Sequence, residues 1–182
     1  MSQIKIILIR HGEAENKWGE HPDPGLSLKG ISESYDLLQH KELLEISWSN
    51  HSIDKHFDNK KSVNIEMSLD SKPIGILIGH YLYQSSDLDE FEILHIAILP
   101  NFRNSGFALN LMEELEKLFN INKKSLKIFL EVSSSNKFAI KLYEKLGYKA
   151  YNERKNYYRS KSINAPHTQD AILFAKSLDA IR

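Results

Sequence analysis

Pro100-Asn-Phe-Arg103-Asn104-Ser105-Gly106-Phe107-Ala108-Leu109-Asn-Leu-Met112 is the stretch on which the reading of this chain turns. It follows the apolar run Ile93–Leu99, which reads as a buried strand, and it leads into a segment with helical periodicity. Arg103, Gly106 and Ala108 stand at R-x-x-G-x-A spacing between the two. A strand that turns through small residues into a helix leaves backbone N–H groups without partners at the positive end of the helix dipole. Such a turn suits a pyrophosphate. It lacks the G-K-[S/T] ending of a phosphate-binding P-loop and the paired glycines of a dinucleotide fold, so neither of those readings is supported.

The helix after the turn carries Ala108, Leu111, Met112, Leu115, Leu118 and Phe119 on one face, and Glu113, Glu114, Glu116 and Lys117 on the other. Leu126–Val132 reads as a strand. Phe138, Ile140, Leu142, Tyr143 and Leu146 mark a further helix, stopped by Gly147. Two strands around Tyr148–Tyr158 and Ala171–Ala175 close the pattern, with a polar loop at Ser160–Gln169. Upstream, Val63–Leu69 alternates apolar and polar residues and Ile74–Leu82 is almost continuously apolar. Asp70–Pro73 lies between them, so the pair reads as a hairpin. A short helix begins at Trp48-Ser49 and runs through Ile53, His56 and Phe57, preceded by a longer one over Ile31–Leu44. Ile4–Ile9 is a β-branched run that reads as a strand, and the stretch from His11 to Pro24 is polar and turn-rich. The order of elements predicts an α/β class, a mixed sheet in one layered domain.

The bulk properties narrow the function. Lysine plus arginine number 24, as do aspartate plus glutamate, so the formal charge is zero. That balance argues against a general nucleic-acid-binding surface. There are no cysteines, which excludes a disulfide scaffold, a thiolate zinc site and a cysteine nucleophile. The eight histidines are scattered and none pairs with carboxylates at ligand spacing, so no metal is expected. No apolar run reaches the roughly 20 residues that span a bilayer, and no signal-peptide core is present. A cytoplasmic protein without a membrane partner is expected; the oligomeric state is not readable.

Beyond the glycine turn, Leu130-Glu131-Val132-Ser-Ser-Ser-Asn136-Lys-Phe-Ala-Ile140-Lys-Leu-Tyr143 forms an L-E-V-x-x-S-N-x-x-A-I-x-L-Y pattern. With Trp48-Ser49, Ile96-Ala97-Ile98, Asn156-Tyr157-Tyr158 and Asp170-Ala171-Ile172, it resembles the Gcn5-related N-acetyltransferase (GNAT) superfamily over roughly residues 34–178. Within that superfamily it is most similar to the bacterial enzymes that acetylate a ribosomal protein at an N-terminal alanine. The resemblance implies a GNAT acyl-CoA N-acyltransferase fold, a mostly antiparallel sheet with a splayed parallel strand pair flanked by helices. It also implies acetyl-CoA as co-substrate and an amine acceptor, either a protein N-terminus or a small molecule or lysine. By position, Ile96, Ala97 and Ile98 would hold the acetyl-pantetheine arm through their backbone. Arg103, Asn104, Ser105, Gly106, Phe107, Ala108 and Leu109 would wrap the pyrophosphate, with Ala108 in place of the commoner second glycine, and Asn136 would contact the cofactor. Glu131 would be the general base and Tyr143 the general acid. Asn136 also reads as a helix N-cap, and Tyr157 and Tyr158 as either the border of a substrate groove or cross-strand packing.

Residues 1–33 read differently. Leu8-Ile9-Arg10-His11-Gly12-Glu13 followed by Gly25-Leu26-Ser27-Leu28-Lys29-Gly30 resembles the start of the histidine phosphatase superfamily. That resemblance implies His11 as phosphorylated nucleophile and Arg10 as phosphate ligand. The rest of such an enzyme is missing, because the acetyltransferase pattern occupies the chain from residue 34. The expected organisation is therefore a 1–33 extension, truncated from a phosphatase-like start, and a 34–182 acetyltransferase domain. Either Ile4–Arg10 or Leu26–Lys29 supplies the first strand. An inactive acyl-CoA-binding module is the non-enzymatic alternative.

Overall fold

The computed structural model describes residues 4–10, 48–120, 124–159 and 168–180. The expected helix over Ile31–Leu44, the turn-rich stretch from His11, the Leu26–Lys29 segment and most of the Ser160–Gln169 loop lie outside those residues. Seven strands form one sheet in the order β1-β2-β3-β4-β5-β7-β6. They are β1 (Ile4–Arg10), β2 (Ser62–Leu69), β3 (Lys72–Gln84), β4 (Leu88–Ile98), β5 (Ser125–Ser133), β6 (Lys149–Arg159) and β7 (Thr168–Leu178). The described helices are α1 (Asn50–Phe57), α2 (Phe107–Asn120) and α3 (Lys137–Lys145), with a single 3-10 turn at Pro100–Phe102. Gln169, expected in a loop, is already part of β7.

The chain divides into two compact units, Met1–Tyr81 with His95–Lys117 and Leu82–Leu94 with Leu118–Arg182. In the first, β1 pairs antiparallel with β2 from Ile4↔Leu69 to Arg10↔Val63, so Ile4–Arg10 is a strand of the sheet. β2 pairs antiparallel with β3, and the turn is tighter than the sequence suggests. Asp70 (φ +49) and Ser71 (φ +65) close a two-residue loop of the type whose twist matches the strands it joins. Lys72 and Pro73 are thereby drawn into β3, and the register shifts at Met67/Ser68. Pro73 has no N–H to offer a ladder, and the start of a strand beside an irregularity tolerates that.

The alternation of β2 does not produce a wet face. Val63, Ile65 and Met67 are buried, but so are Ser62, Asn64, Glu66 and Ser68. A buried polar group needs partners, and each of these side chains has at least one, although Asn64 Nδ2 meets none among the described residues. The His56 ring meets Asn64 Oδ1 at 2.9 Å, the Ser62 hydroxyl donates to the His56 carbonyl at 2.6 Å, and that of Ser68 donates to Glu66 Oε1 at 2.6 Å. His56 can reach that face because α1 is capped at its start, with Ser49 Oγ accepting the Ser52 N–H at 3.1 Å.

On α2, Leu111, Met112, Leu115 and Phe119 are buried, as the periodicity requires. Leu111 packs over Gly75 of β3, where a Cβ would lie 2.4 Å from Ile98 Cδ1 and 3.0 Å from the Ala97 carbonyl oxygen. Gly75 therefore lets the end of β4 sit against β3.

In the second unit, β5 runs parallel to β4 from Leu88↔Ser125 to Ile93↔Leu130. There the ladder stops, although β4 continues to Ile98 and β5 to Ser133. β7 pairs antiparallel with β5 on one side and β6 on the other. Leu126, Ile128, Leu130 and Val132 of β5 are buried, as are Phe174 and Tyr143, with the Tyr143 and Phe174 rings 6.0 Å apart. α3 ends where Gly147 takes φ +86.

Replacing Gly75 by valine would force the Ile98 side chain and the Ala97 backbone away. The variant is expected to lose about 1–3 kcal/mol of stability, read as a lower urea midpoint with an unchanged slope.

Candidate active site

The strand-to-helix turn lies wholly in the first unit. Leu99 N–H bonds to the Ile74 carbonyl at 2.8 Å, and Phe102 N–H to the Leu99 carbonyl at 2.9 Å, so the chain leaves β4 through one 3-10 turn. The Arg103 Nε donates to the Ile98 carbonyl at 3.0 Å and ties the turn back to the strand end. Asn104 (φ +61) and Gly106 (φ +83) then turn the backbone into α2. A side chain at 106 would meet no atom within 4 Å. Glycine is needed there for its torsion angle, and the space over the turn is open. The helical ladder begins with Asn110 N–H to the Gly106 carbonyl at 3.1 Å, so the amides just before Asn110 have no intrahelical acceptor. Arg103, Asn104, Ser105 and Gly106 are exposed, and Phe107, Ala108 and Leu109 are half-buried. Ile96 is half-buried and Ala97 and Ile98 are buried at the end of β4, past the last β4–β5 pair. Converging amides, open space and an arginine beside them fit a pyrophosphate.

Glu131, Asn136 and Tyr143 lie in the second unit. Asn136 is the N-cap of α3, with its side chain accepting the Ala139 N–H at 3.1 Å. The β5–α3 connection before it is fastened by Ser135 Oγ, which donates to Gln169 Oε1 at 2.7 Å, and by the Ser133 hydroxyl on the same oxygen. Glu131 sits in β5 opposite Leu173 of β7, its side chain 24 % exposed. Its Oε2 accepts from Arg154 Nη1 of β6 at 3.1 Å. The Tyr157 hydroxyl also hydrogen-bonds to Glu131, and that bond is the largest reason its proton is held more tightly than an ordinary tyrosine's. Tyr158 is half-buried and pushed up to about 12, first by burial and then by the Glu131 charge. Tyr143 is only 8 % exposed. Burial raises its pKa well above the usual phenol value, with Tyr158 adding to the effect. The second unit thus gathers a carboxylate and three tyrosines, and Tyr158 feels both Glu131 and Tyr143.

Arg154 was not singled out by the sequence pattern, and neither was the distortion that places it. Arg154 pairs with Ala171 and Tyr158 with Gln169, so Lys155, Asn156 and Tyr157 all face the single residue Asp170. Asp170 pins this bulge by accepting the Asn156 N–H at 2.8 Å and the Lys155 ammonium at 3.0 Å. Those two bonds, the amide first, hold its carboxyl below the usual aspartate value. Asn156 sits at φ +54, a torsion that asparagine tolerates better than most residues. The one legible signal was the Asn156-Tyr157-Tyr158 run itself. Among the described residues, no cluster of histidine and carboxylate side chains could hold a metal. No helix among them is long and apolar enough to cross a membrane.

The fold and the turn define an acyl-CoA-dependent acyltransferase. Residues 31–148 match the acetyltransferase (GNAT) family, and the chain belongs to that family; it is an acetyl-CoA-dependent N-acetyltransferase. The match leaves the Arg10-His11-Gly12 segment outside it. The chain is 35 % identical over 121 residues to the [ribosomal protein bS18]-alanine N-acetyltransferase of Haemophilus influenzae, covering 65 % of this chain and 80 % of that protein. In fold it is similar to the ribosomal-protein-S18-alanine N-acetyltransferase of Escherichia coli, with a TM-score of 0.71 at 20 % identity over 100 % of this chain and 97 % of the other. Arabidopsis thaliana NAA60 in complex with acetyl-CoA is also similar, with a TM-score of 0.70 at 16 % identity over 97 % and 99 % of the two chains.

Asn136→Ala removes the cap of α3 and is expected to cost about 1 kcal/mol, while Asn136→Asp, which keeps a capping oxygen, is expected to retain most of it. Thermal melts of the two variants beside the parent check this.

Proposed function

We propose that this enzyme acetylates the α-amine of a protein N-terminus, and that a ribosomal protein beginning with alanine is its substrate. In this reading Glu131 is the general base, Tyr143 the general acid, and Ile96–Ile98, Arg103–Leu109 and Asn136 hold acetyl-CoA. The observation that carries it is the presence, within one unit, of a partly exposed carboxylate and a buried tyrosine that keeps its proton. The relative from Haemophilus influenzae, named for acetylating an alanine of a ribosomal protein, supports the choice of acceptor. The cytoplasm is the setting this reading implies. Residues 34–182 would be the acetyltransferase domain and 1–33 an extension to it; the pairing of Ile4–Arg10 with β2 supports giving that extension the first strand.

Bound acetyl-CoA supplies the acetyl group as a thioester. Glu131 accepts a proton from the acceptor's ammonium, directly or through a water, and passes it to solvent; the neutral nitrogen so formed bonds to the acetyl carbon. A backbone N–H of Ile96–Ile98 suits the charge that develops on the carbonyl oxygen. The C–S bond breaks, and sulfur takes up a proton. In this reading Tyr143 would be the hydrogen-bond donor to the sulfur. Its raised pKa exceeds that of a thiol, about 8.5. It therefore stays protonated until the C–S bond breaks, gives its proton to the departing sulfur, and is reprotonated by the proton that the nitrogen loses on becoming an amide. The acceptor choice is physical as well. An α-amine has a pKa of about 7.7–8.0 against about 10.4 for lysine, so freeing lysine's nitrogen costs roughly 3–4 kcal/mol more at neutral pH. One carboxylate suits the easier task.

Acetyl transfer to a panel of N-terminal peptides, polyamines and lysine side chains should depend on the first residues of the peptide; equal rates on polyamines would overturn the choice of acceptor. Glu131→Gln and Tyr143→Phe are each expected to lower kcat about 100-fold or more with acetyl-CoA affinity nearly unchanged, and full rates in both would refute the assignment. The general acid acts in its protonated form, and burial raises its pKa. The parent enzyme should therefore show no loss of kcat from this group as pH rises through the ordinary tyrosine value of about 10.

A further inference from the structure

Glu131 already has a cation on it. The Arg154 guanidinium reaches it through one nitrogen, Nη1 to Oε2 at 3.1 Å, rather than the two-pronged contact that makes arginine–carboxylate pairs persistent. Arg154 is 52 % exposed against 24 % for Glu131, so the guanidinium stands on the solvent side of the carboxylate. It also lies over the Tyr157 ring, 5.3 Å from the centroid. That aromatic face can hold the guanidinium after it leaves the carboxylate. Its neighbour Lys155 is not a substitute, since its ammonium is bound to Glu153 at 2.8 Å and to Asp170 at 3.0 Å. The Asp170-pinned bulge follows Arg154 directly and brings Tyr157 round to the same carboxylate. Bulges re-aim side chains in this way beside active sites.

We propose that Arg154 is a place-holder: its guanidinium occupies, on Glu131, the position that the ammonium of the acceptor takes during the reaction. This rests on the reading of Glu131 as the general base. Acceptor binding is then the exchange of one cation for another, and Arg154 releases the carboxylate while keeping its place over the Tyr157 ring as the amine arrives. An ammonium can displace the guanidinium because it brings the same charge with three donors. A neutral nucleophile brings no charge in place of the one it displaces, so it competes less well for the carboxylate. Arg154 thus acts as a positioning residue that selects acceptors arriving as cations and keeps water off the base until they do. The pair is half-exposed and singly bonded, so its hold is weak and the exchange is cheap.

Steady-state kinetics with an alanine-initiated peptide test this in the parent, Arg154→Ala and Arg154→Lys, with acetyl-CoA saturating. Removing the competitor in Arg154→Ala should lower the peptide KM about two- to five-fold and raise the acceptor-free hydrolysis of acetyl-CoA. Methylguanidinium, added to that variant, should inhibit competitively against the peptide and restore the higher KM. Arg154→Lys keeps a cation and should behave like the parent, with thermal melts of all three showing that the fold persists. A peptide KM that is unchanged or higher in Arg154→Ala, or methylguanidinium that acts alike on variant and parent, overturns the place-holder. Glu131→Gln separates the two layers. If it keeps full turnover, the base assignment fails; if it loses turnover while Arg154→Ala fails to lower KM, the place-holder alone fails.

Discussion

The backbone of a sheet must find partners for its N–H and C=O groups, and the structure depends on where β4 stops finding them in β5. The parallel ladder ends at Ile93↔Leu130, while β4 runs on to Ile98. Beyond that point the strand end is held by β3 and by its own turn: Gly75 lets Ala97 and Ile98 close in, the Ile74 carbonyl takes the Leu99 N–H, and Arg103 caps the Ile98 carbonyl. A backbone group left without a ladder partner is costly when dry and useful when a ligand can satisfy it. The same logic governs the start of α2, where the first amides have no helical acceptor.

In the second unit the two candidate residues Glu131 and Tyr143 are buried unequally. Tyr143 is enclosed by Tyr148 and Phe174, and a phenol in that setting cannot afford to ionise, so it stays a donor. Glu131 keeps a path to solvent and a guanidinium beside it. Tyr158, half-buried between these regimes, is coupled to both. That difference in burial comes from where β5 and α3 put the two residues rather than from the residue types alone.

Local rules explain much of what could be read from the chain directly. The apolar stripe of α2, the capping oxygen of Asn136 and the stop at Gly147 each depend on residues within a few positions of one another. The R-x-x-G-x-A turn belongs with them, since its glycine is demanded by a local torsion of φ +83. The alternation in β2 was legible too, but not its consequence. Ser62, Asn64, Glu66 and Ser68 look like a wet face, yet all four are buried, with His56 of α1 bonded to Ser62 and Asn64.

The sequence by itself determined the layered α/β class, the glycine turn and the capping role of Asn136, because periodicity, capping and turn chemistry are short-range; Glu131 and Tyr143 stood out as candidates through the family resemblance. Only the tertiary structure decided that Arg154 meets Glu131. Those residues are 23 positions apart, on strands that never pair directly but share β7 as a neighbour. Their meeting depends on the registers of two ladders and on a bulge of three residues against one. A shift of one residue in either ladder would turn Arg154 to the other face of the sheet, and no local pattern records which register wins.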